Sequence, residues 1–171
     1  MSPTPVPLLL AALVFAPGRL PAQSALPDWI RVDSAGRTVE VALVAEPGGA
    51  DGGPSLNGHA RGDVQLVVPL GWTVRWTWVN QDSAQTHSLV VMTEREKLPA
   101  EAGRPAFDNA YTRQPGAGLA PGRRDVTTFV ADQAGWYWML CGVPGHALKG
   151  EWIGLRVDPD ATRPDLRPGG R

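Results

Sequence analysis

The chain is dominated by short stretches in which apolar and polar residues alternate, and turns separate these stretches. The clearest stretch, residues 72–78, puts three tryptophans and a valine on one face and two threonines and an arginine on the other. This two-residue period predicts half-buried β-strands. The 20 glycines and 17 prolines supply the turns between them. We therefore predict an all-β fold of seven to eight strands, arranged as a Greek-key β-sandwich. The predicted strands lie near residues 39–43, 64–68, 72–78, 87–92, 126–131, 136–141 and 151–157.

The rest of the chain is divided around these strands. Residues 38–158 contain all of them and are predicted to form one domain, with an irregular lead-in at residues 24–37. Residues 93–124 have no clear period, so we expect a long excursion with a short helix near Arg95. The tail at residues 159–171 carries prolines among charges and is predicted to be disordered.

Residues 1–23 are predicted to be a signal peptide. An apolar run at residues 6–16 is followed by Pro17-Gly18 and then by small residues. A run of about 11 residues is too short to span a bilayer but suits the apolar part of a signal. No Lys or Arg precedes the run, and an uncleaved anchor is the alternative. We expect an exported, periplasmic or otherwise extracytoplasmic monomer, with no transmembrane span in the mature chain.

Cys141 is the single cysteine of the chain, so it cannot form an internal disulfide. It stands in Cys141-Gly-Val-Pro-Gly-His146, at the end of an apolar stretch and downstream of the isolated His87. One thiolate and two imidazoles are the ligand set of a mononuclear blue-copper centre. The alternative is an ordinary buried cysteine.

The segment at residues 131–152, Ala-Asp-Gln-Ala-Gly-Trp-Tyr-Trp-Met-Leu-Cys-Gly-Val-Pro-Gly-His-Ala-Leu-Lys-Gly-Glu-Trp, resembles the ligand loop of the cupredoxins. It is especially similar to the sulfocyanin family, which has the same Cys-x₄-His spacing. Supporting matches lie at residues 56–62, 77–82, 86–88 and 118–122, and the resemblance covers most of residues 38–157. It implies a cupredoxin sandwich, one bound copper ion that cycles between Cu(I) and Cu(II), and His87, Cys141 and His146 as equatorial ligands.

One position departs from the family pattern. The family places an axial methionine five residues after the loop histidine, where this chain has Glu151. A carboxylate there favours Cu(II), so the resemblance implies a lower potential than in a Met-ligated relative. Alternatively, Glu151 points away and the axial position is empty or held by a backbone carbonyl. Met92 and Met139 are less favoured as substitutes, and Met139 is expected in the core.

Three further expectations concern the surroundings of the predicted site. Asn80 is expected to hydrogen-bond the backbone around Cys141, where such groups tune a metal's potential. The small apolar residues around His146 are expected to leave the imidazole edge exposed as an electron port. His59 is expected to be an ordinary surface or hydrogen-bonded residue. With three histidines in total, a second catalytic copper has no ligands, so the chain is not predicted to be an enzyme.

The function that follows is electron transfer between extracytoplasmic redox partners, such as a cytochrome or a terminal oxidase. A formal net charge of −1 gives no basic surface for nucleic acid. The alternative is a copper-binding protein for delivery, buffering or sensing, or a site that prefers Zn(II). Sparse methionine and histidine, three of each, disfavour a delivery protein.

Overall fold

The structure, a computed structural model, describes residues 25–49 and 52–170. These ranges contain ten strands and a helix of one turn. In chain order they are β1 (Ile30–Asp33), β2 (Thr38–Pro47), β3 (Pro54–Leu56), β4 (Val64–Pro69), β5 (Thr73–Asn80), β6 (Val90–Thr93), β7 (Arg124–Val130), β8 (Gly135–Leu140), α1 (His146–Lys149), β9 (Trp152–Asp158) and β10 (Asp165–Pro168).

The strands form two facing sheets. One has the order β1-β2-β5-β7 with β3 paired to β2, and the other has the order β10-β4-β9-β8-β6. The pairs β2–β5 and β4–β9 are parallel, and the other pairs are antiparallel. Successive strands from β4 to β7 change sheets, as Greek-key connections require. The predicted all-β Greek-key sandwich is therefore confirmed.

The core lies between the sheets and follows the alternation seen in the sequence. Trp76 and Trp78 of β5 are completely buried, and Trp76 meets Phe129 of β7 edge-on at 5.4 Å between ring centroids. Burying one large apolar side chain stabilises a fold by roughly 1.5–3 kcal/mol. The indole N–H groups of both tryptophans lack a hydrogen-bond partner among the described residues. The tryptophan stripe therefore stabilises the body of the sandwich through apolar contact.

Several segments differ from the expectation. The lead-in contains β1, and β3 follows the glycine-rich loop after β2. The tail is not disordered up to residue 170, because β10 pairs with β4 and places Leu166 opposite Leu66. Three short strands therefore raise the count above the expected seven to eight. Each of them sits beside a longer strand, whose backbone groups hold it in place.

No helix occurs in residues 94–123, all of which the structure describes, so the helix expected near Arg95 is wrong. Pro99, Gly103 and Pro105 interrupt this segment. Leu98 and Ala102 of this segment pack on a small apolar cluster of the second sheet, and Phe107 and Ala110 pack in the main core. The excursion is thus an irregular segment that packs against the sandwich.

The predicted signal peptide lies outside the described residues. Among the helical segments that are described, none is long and apolar enough to cross a membrane.

Candidate metal centre

The antiparallel ladder between β8 and β9 brings Cys141 and Glu151 together. Leu140 pairs with Trp152. One position further, Cys141 lies opposite Glu151, and its amide donates to the Glu151 carbonyl at 3.0 Å. Opposed residues of an antiparallel pair carry their side chains on one face. The Glu151 carboxylate therefore points to the same side as the thiol and is completely buried. The alternative in which Glu151 points away does not describe this structure.

A single helical turn returns the chain from Cys141 to Glu151. Helix α1 begins at His146, between Gly145 and Gly150, whose φ angles of 82° and 117° are left-handed. Glycine adopts such angles without steric penalty. The Glu151 amide donates to the His146 carbonyl at 3.2 Å. This compact turn places His146 Nδ1 3.7 Å from Cys141 Sγ and 3.3 Å from Glu151 Oε2.

His87 approaches from the segment before β6, which begins at Val90, later than the sequence predicted. His87 forms an isolated bridge with Leu119, through hydrogen bonds of 3.2 and 2.7 Å. Its ring is completely buried, and Nδ1 lies 2.8 Å from Glu151 Oε2. The structure thus brings all four candidate ligands into one place.

Donor atoms of His87, Cys141, His146 and Glu151 lie within 4.8 Å of one another, and all four residues are buried. A first-row metal ion with bonds of about 2.0–2.3 Å reaches donors separated by roughly this span. In addition, Glu151 Oε1 is buried and has no hydrogen-bond partner among the described residues. A buried oxygen without a partner is costly, and a cation would satisfy it. The donor set therefore fits a metal ion, and its sulfur and two nitrogens match those of blue copper.

Burial and charge set the protonation of these groups. Burial, together with the nearby Glu151 carboxylate, raises the pKa of the Cys141 thiol. Burial alone lowers the pKa of His87, but hydrogen bonds to Glu151 and Asp82 act in the opposite direction, and the pKa ends above its ordinary value. A metal that binds here must therefore displace protons.

Two residues that sequence reasoning had given no role contact the ligands directly. The Ser88 amide donates to Cys141 Sγ at 3.4 Å, and its hydroxyl accepts from the Gly142 amide at 2.9 Å. Asp82 Oδ2 lies 3.1 Å from His87 Nε2. Both residues lie in segments that resemble the family, residues 77–82 and 86–88. Their closeness to His87 in sequence could have indicated that they contact this ligand.

Asn80 does not perform the expected role. Its side-chain amide donates to the carbonyls of Gln85 and Leu119, at 2.8 and 2.9 Å, and its oxygen accepts from the Asp82 amide. None of these groups belongs to the backbone around Cys141. Asn80 instead fastens the turn that leads to His87, because a buried amide side chain satisfies the backbone groups nearest to it.

The excursion braces the ligand loop from outside. The Ala102 amide donates to the Gly142 carbonyl at 2.8 Å, and the Gly145 amide donates to the Ala100 carbonyl at 2.7 Å. A Cβ on Gly142 would lie 2.6 Å from that of Ala102. The loop is therefore tightly packed, and His146 is only 7% exposed, which is less than the exposed imidazole that we expected.

The remaining candidates lie outside the cluster. Met139 is completely buried in the core, as expected. Met92 accepts a hydrogen bond from the Gly103 amide at its sulfur. His59 pairs with Asp63 at 3.2 Å near the surface, in agreement with an ordinary role.

Comparisons with known proteins support the family resemblance. A family model for the sulfocyanin (SoxE) domain matches residues 27–166. Sulfocyanin from Sulfolobus acidocaldarius is 27% identical over 139 residues, which cover 77% of this chain and 69% of that protein. Rusticyanin from Acidithiobacillus ferrooxidans is 31% identical over 124 residues, which cover 70% of this chain and 63%, less than two thirds, of that protein.

Solved structures share the fold. An auracyanin from Roseiflexus castenholzii, in its reduced form, has a TM-score of 0.51 at 23% identity, over 70% of this chain and 97% of that one. A copper nitrite reductase from Nitrosomonas europaea also has a TM-score of 0.51, at 25% identity, over 72% of this chain and 42% of the enzyme chain. The same fold thus occurs as a single domain and as part of a larger copper enzyme.

Proposed function

Because this chain belongs to the sulfocyanin family of cupredoxins, we propose that it is a mononuclear copper protein that carries single electrons. Members of the cupredoxin family bind one copper ion. In this chain His87, Cys141 and His146 would hold the ion through two imidazoles and a thiolate, and Glu151 would supply a carboxylate oxygen. The observation that carries the proposal is the convergence of these four buried residues within 4.8 Å.

Copper held by a thiolate and two imidazoles exchanges one electron between Cu(I) and Cu(II) with little change of geometry. The chain contributes rigidity to this exchange. Hydrogen bonds from Ser88 orient Cys141, and the amides of Ala102 and Gly145 tie the loop to the excursion. A ligand set held by such hydrogen bonds requires little rearrangement between the two states.

Glu151 distinguishes this site from a methionine-ligated one. Its carboxylate is an anionic oxygen donor, and such a donor stabilises Cu(II) more than Cu(I). We expect a lower reduction potential than that of the Glu151→Met variant. Glu151 Oε2 also lies close to both Nδ1 atoms of the histidines. This carboxylate therefore supports the arrangement of both imidazoles as well as the metal.

The chain is proposed to be a carrier without catalytic activity of its own. A catalytic copper would need further ligands, and His59, the third histidine, is engaged with Asp63. Exposed Pro144 and Leu148, the latter 55% exposed, flank the buried His146. A small apolar surface of this kind suits brief docking of a redox protein such as a cytochrome or a terminal oxidase.

The proposed location is periplasmic or otherwise extracytoplasmic, with residues 1–23 removed as a signal peptide. A lone cysteine that is completely buried and faces a metal site is protected in an oxidising compartment. Fractionation of a bacterial host that expresses the full chain, with mass spectrometry of the product, tests this location. Recovery of the intact chain in the cytoplasm would contradict it.

The deciding experiment is the visible and paramagnetic resonance spectrum of the copper-loaded protein. An intense thiolate-to-copper band is expected in the wild type and is expected to disappear in Cys141→Ser. In Glu151→Met the band should shift and the potential should rise, whereas Glu151→Gln separates the loss of charge from the change of donor. If the wild type binds copper without the band, metal delivery, buffering or sensing becomes the better account.

A further inference from the structure

We propose that Asp82 is a positioning residue of the metal centre, because its carboxylate holds the His87 ring with Nδ1 turned towards Cys141 and Glu151. The inference rests on the proposed function, since it concerns how one copper ligand is oriented and tuned. Asp82 would not contact the metal. It acts through the imidazole, from the side opposite the donor cluster.

The geometry of the ring carries the inference. His87 has no exposed surface and Asp82 is 5% exposed, so no bulk water competes for Nε2. Nε2 lies 3.1 Å from Asp82 Oδ2, whereas Nδ1 lies 2.8 Å from Glu151 Oε2. An ionised carboxylate only accepts hydrogen bonds, so a ring between Asp82 and Glu151 donates from both nitrogens, and a metal that replaced the Nδ1 proton would leave Nε2–H on Asp82. In the neutral ring this tautomer leaves the Nδ1 lone pair for a metal.

The two oxygens of Asp82 have separate partners. Oδ1 accepts from the amides of Ala84 and Gln85, at 2.7 and 3.2 Å, and so closes the turn before His87. Oδ2 faces His87 and also lies 3.4 Å from the side-chain amide of Gln85. The Asp82 amide is itself held by Asn80 at 2.9 Å. The turn therefore fixes the carboxylate, and the carboxylate fixes the ring.

A carboxylate behind a metal-binding histidine also affects the metal electronically. It raises the basicity of the imidazole, and loss of such a partner typically lowers metal affinity about 10–100-fold. The gain in affinity from a more basic imidazole is larger for the more highly charged ion, so Asp82 favours Cu(II) over Cu(I). If Cu(II) affinity falls tenfold more than Cu(I) affinity, the potential rises by about 59 mV.

The chain offers a matched control in Asp158. Its Oδ1 accepts from the amide two residues later, that of Asp160, at 3.0 Å, as Asp82 Oδ1 does from Ala84. Its Oδ2 accepts from Arg156 Nε at 3.0 Å, and the residue is similarly buried. Asp158 lies seven positions after Glu151, at the far end of β9, about 23 Å along the strand.

The test compares Asp82→Ser with Asp158→Ser. A serine hydroxyl still caps a tight turn but is too short to reach the ring. In Asp82→Ser we expect the thiolate band to remain, Cu(II) affinity to fall about 10–100-fold and the potential to rise, whereas Asp158→Ser should match the wild type. Equal affinity and potential in the wild type and Asp82→Ser would overturn the proposal and reduce Asp82 to a turn cap.

Nitrogen-15 resonance of the metal-free wild type gives a second readout that needs no variant. We expect a slowly exchanging proton on His87 Nε2, and an unprotonated Nε2 would overturn the proposal even if Asp82→Ser failed to fold. Absence of the thiolate band in the wild type would instead overturn the electron-carrier function. The two failures are therefore distinguishable.

Discussion

The body of the sandwich and its metal end are both buried, but different forces hold them together. In the body, Trp76 and Trp78 are enclosed by apolar neighbours, although their N–H groups lack partners among the described residues. At the metal end, buried polar groups such as Asp82, His87 and Ser88 are joined by directed hydrogen bonds. Apolar burial is non-directional, whereas hydrogen bonds fix angles. Substitutions in the body should therefore change stability, and those at the metal end should change geometry.

The largest expected effect is in the body. Trp76→Ala removes a completely buried indole and should lower the free energy of unfolding by about 3–5 kcal/mol. Urea denaturation of the metal-free protein measures this change. The copper spectrum of the folded variant should remain that of the wild type. A shifted spectrum would show that the two regions are not separable.

Metal removal should destabilise the metal end, and it should lower the free energy of unfolding by less than Trp76→Ala does. A ligand that binds only the native state stabilises it by about 2.7 kcal/mol at a free concentration 100 times its Kd. We expect copper to raise the free energy of unfolding by about this amount at that ratio, and a chelator to reverse the rise. Trp76→Ala should show the same increment, because distant sites are additive. If copper stabilised the wild type and Trp76→Ala by different amounts, the body and the metal end would not be energetically independent.

A pair of buried serines sharpens the comparison. Ser88→Ala at the metal end loses hydrogen bonds to the Gly142 amide and the Pro115 carbonyl, and should cost about 1–3 kcal/mol. Ser55→Ala in the body loses one bond, to the Glu46 carbonyl at 3.0 Å, and should cost less. The thiolate band should shift in Ser88→Ala alone. An equal spectral shift in both variants would rule out a specific role for Ser88.

The smallest expected effect depends on pH. Hydrogen bonds from the Asp160 amide and Arg156 lower the pKa of Asp158 below its ordinary value of 3.8. A lowered pKa in the folded state means that the ionised group stabilises the fold above about pH 4, and that this contribution is lost as pH falls through the folded value. Asp158→Asn should therefore cost about 1 kcal/mol at pH 7 and less at pH 3. A cost that does not change between urea titrations at these two pH values would contradict this assignment.

The strands β2 and β5 could be predicted because each of them leaves a periodic pattern. The alternation in residues 39–43 lies within β2, and that in residues 72–78 lies within β5 apart from Trp72; the side chains of both strands are buried on one face only. The short strands β1 and β3 pair with the adjacent β2 and are too short to show a clear period, whereas β10 pairs with β4, a strand distant in sequence. Local sequence does not encode a contact of that kind.

Residue type and spacing pointed to His87, Cys141 and His146, and the family resemblance pointed to Glu151, but neither revealed the surroundings of these residues. Asp82 reaches His87 only because a tight turn folds back between them, and Asn80 supports that turn without touching the ligand loop. The burial of His146 depends on the packed loop and the excursion that braces it. Such arrangements follow from tertiary packing, which no single segment of the sequence reveals.

The strand at the end of the described chain has a consequence for how copies of this protein meet one another. Without β10, the outer backbone of β4 would present unpaired amides and carbonyls, which can accept a strand from another molecule. Residues 165–168 occupy that position, and the Gly169 amide extends the contact to the Asp63 carbonyl at 2.6 Å. Pro168 has no amide hydrogen to offer a newcomer. The tail therefore covers the edge of β4, and we expect a protein that ends at residue 158 to expose this edge and to aggregate more readily.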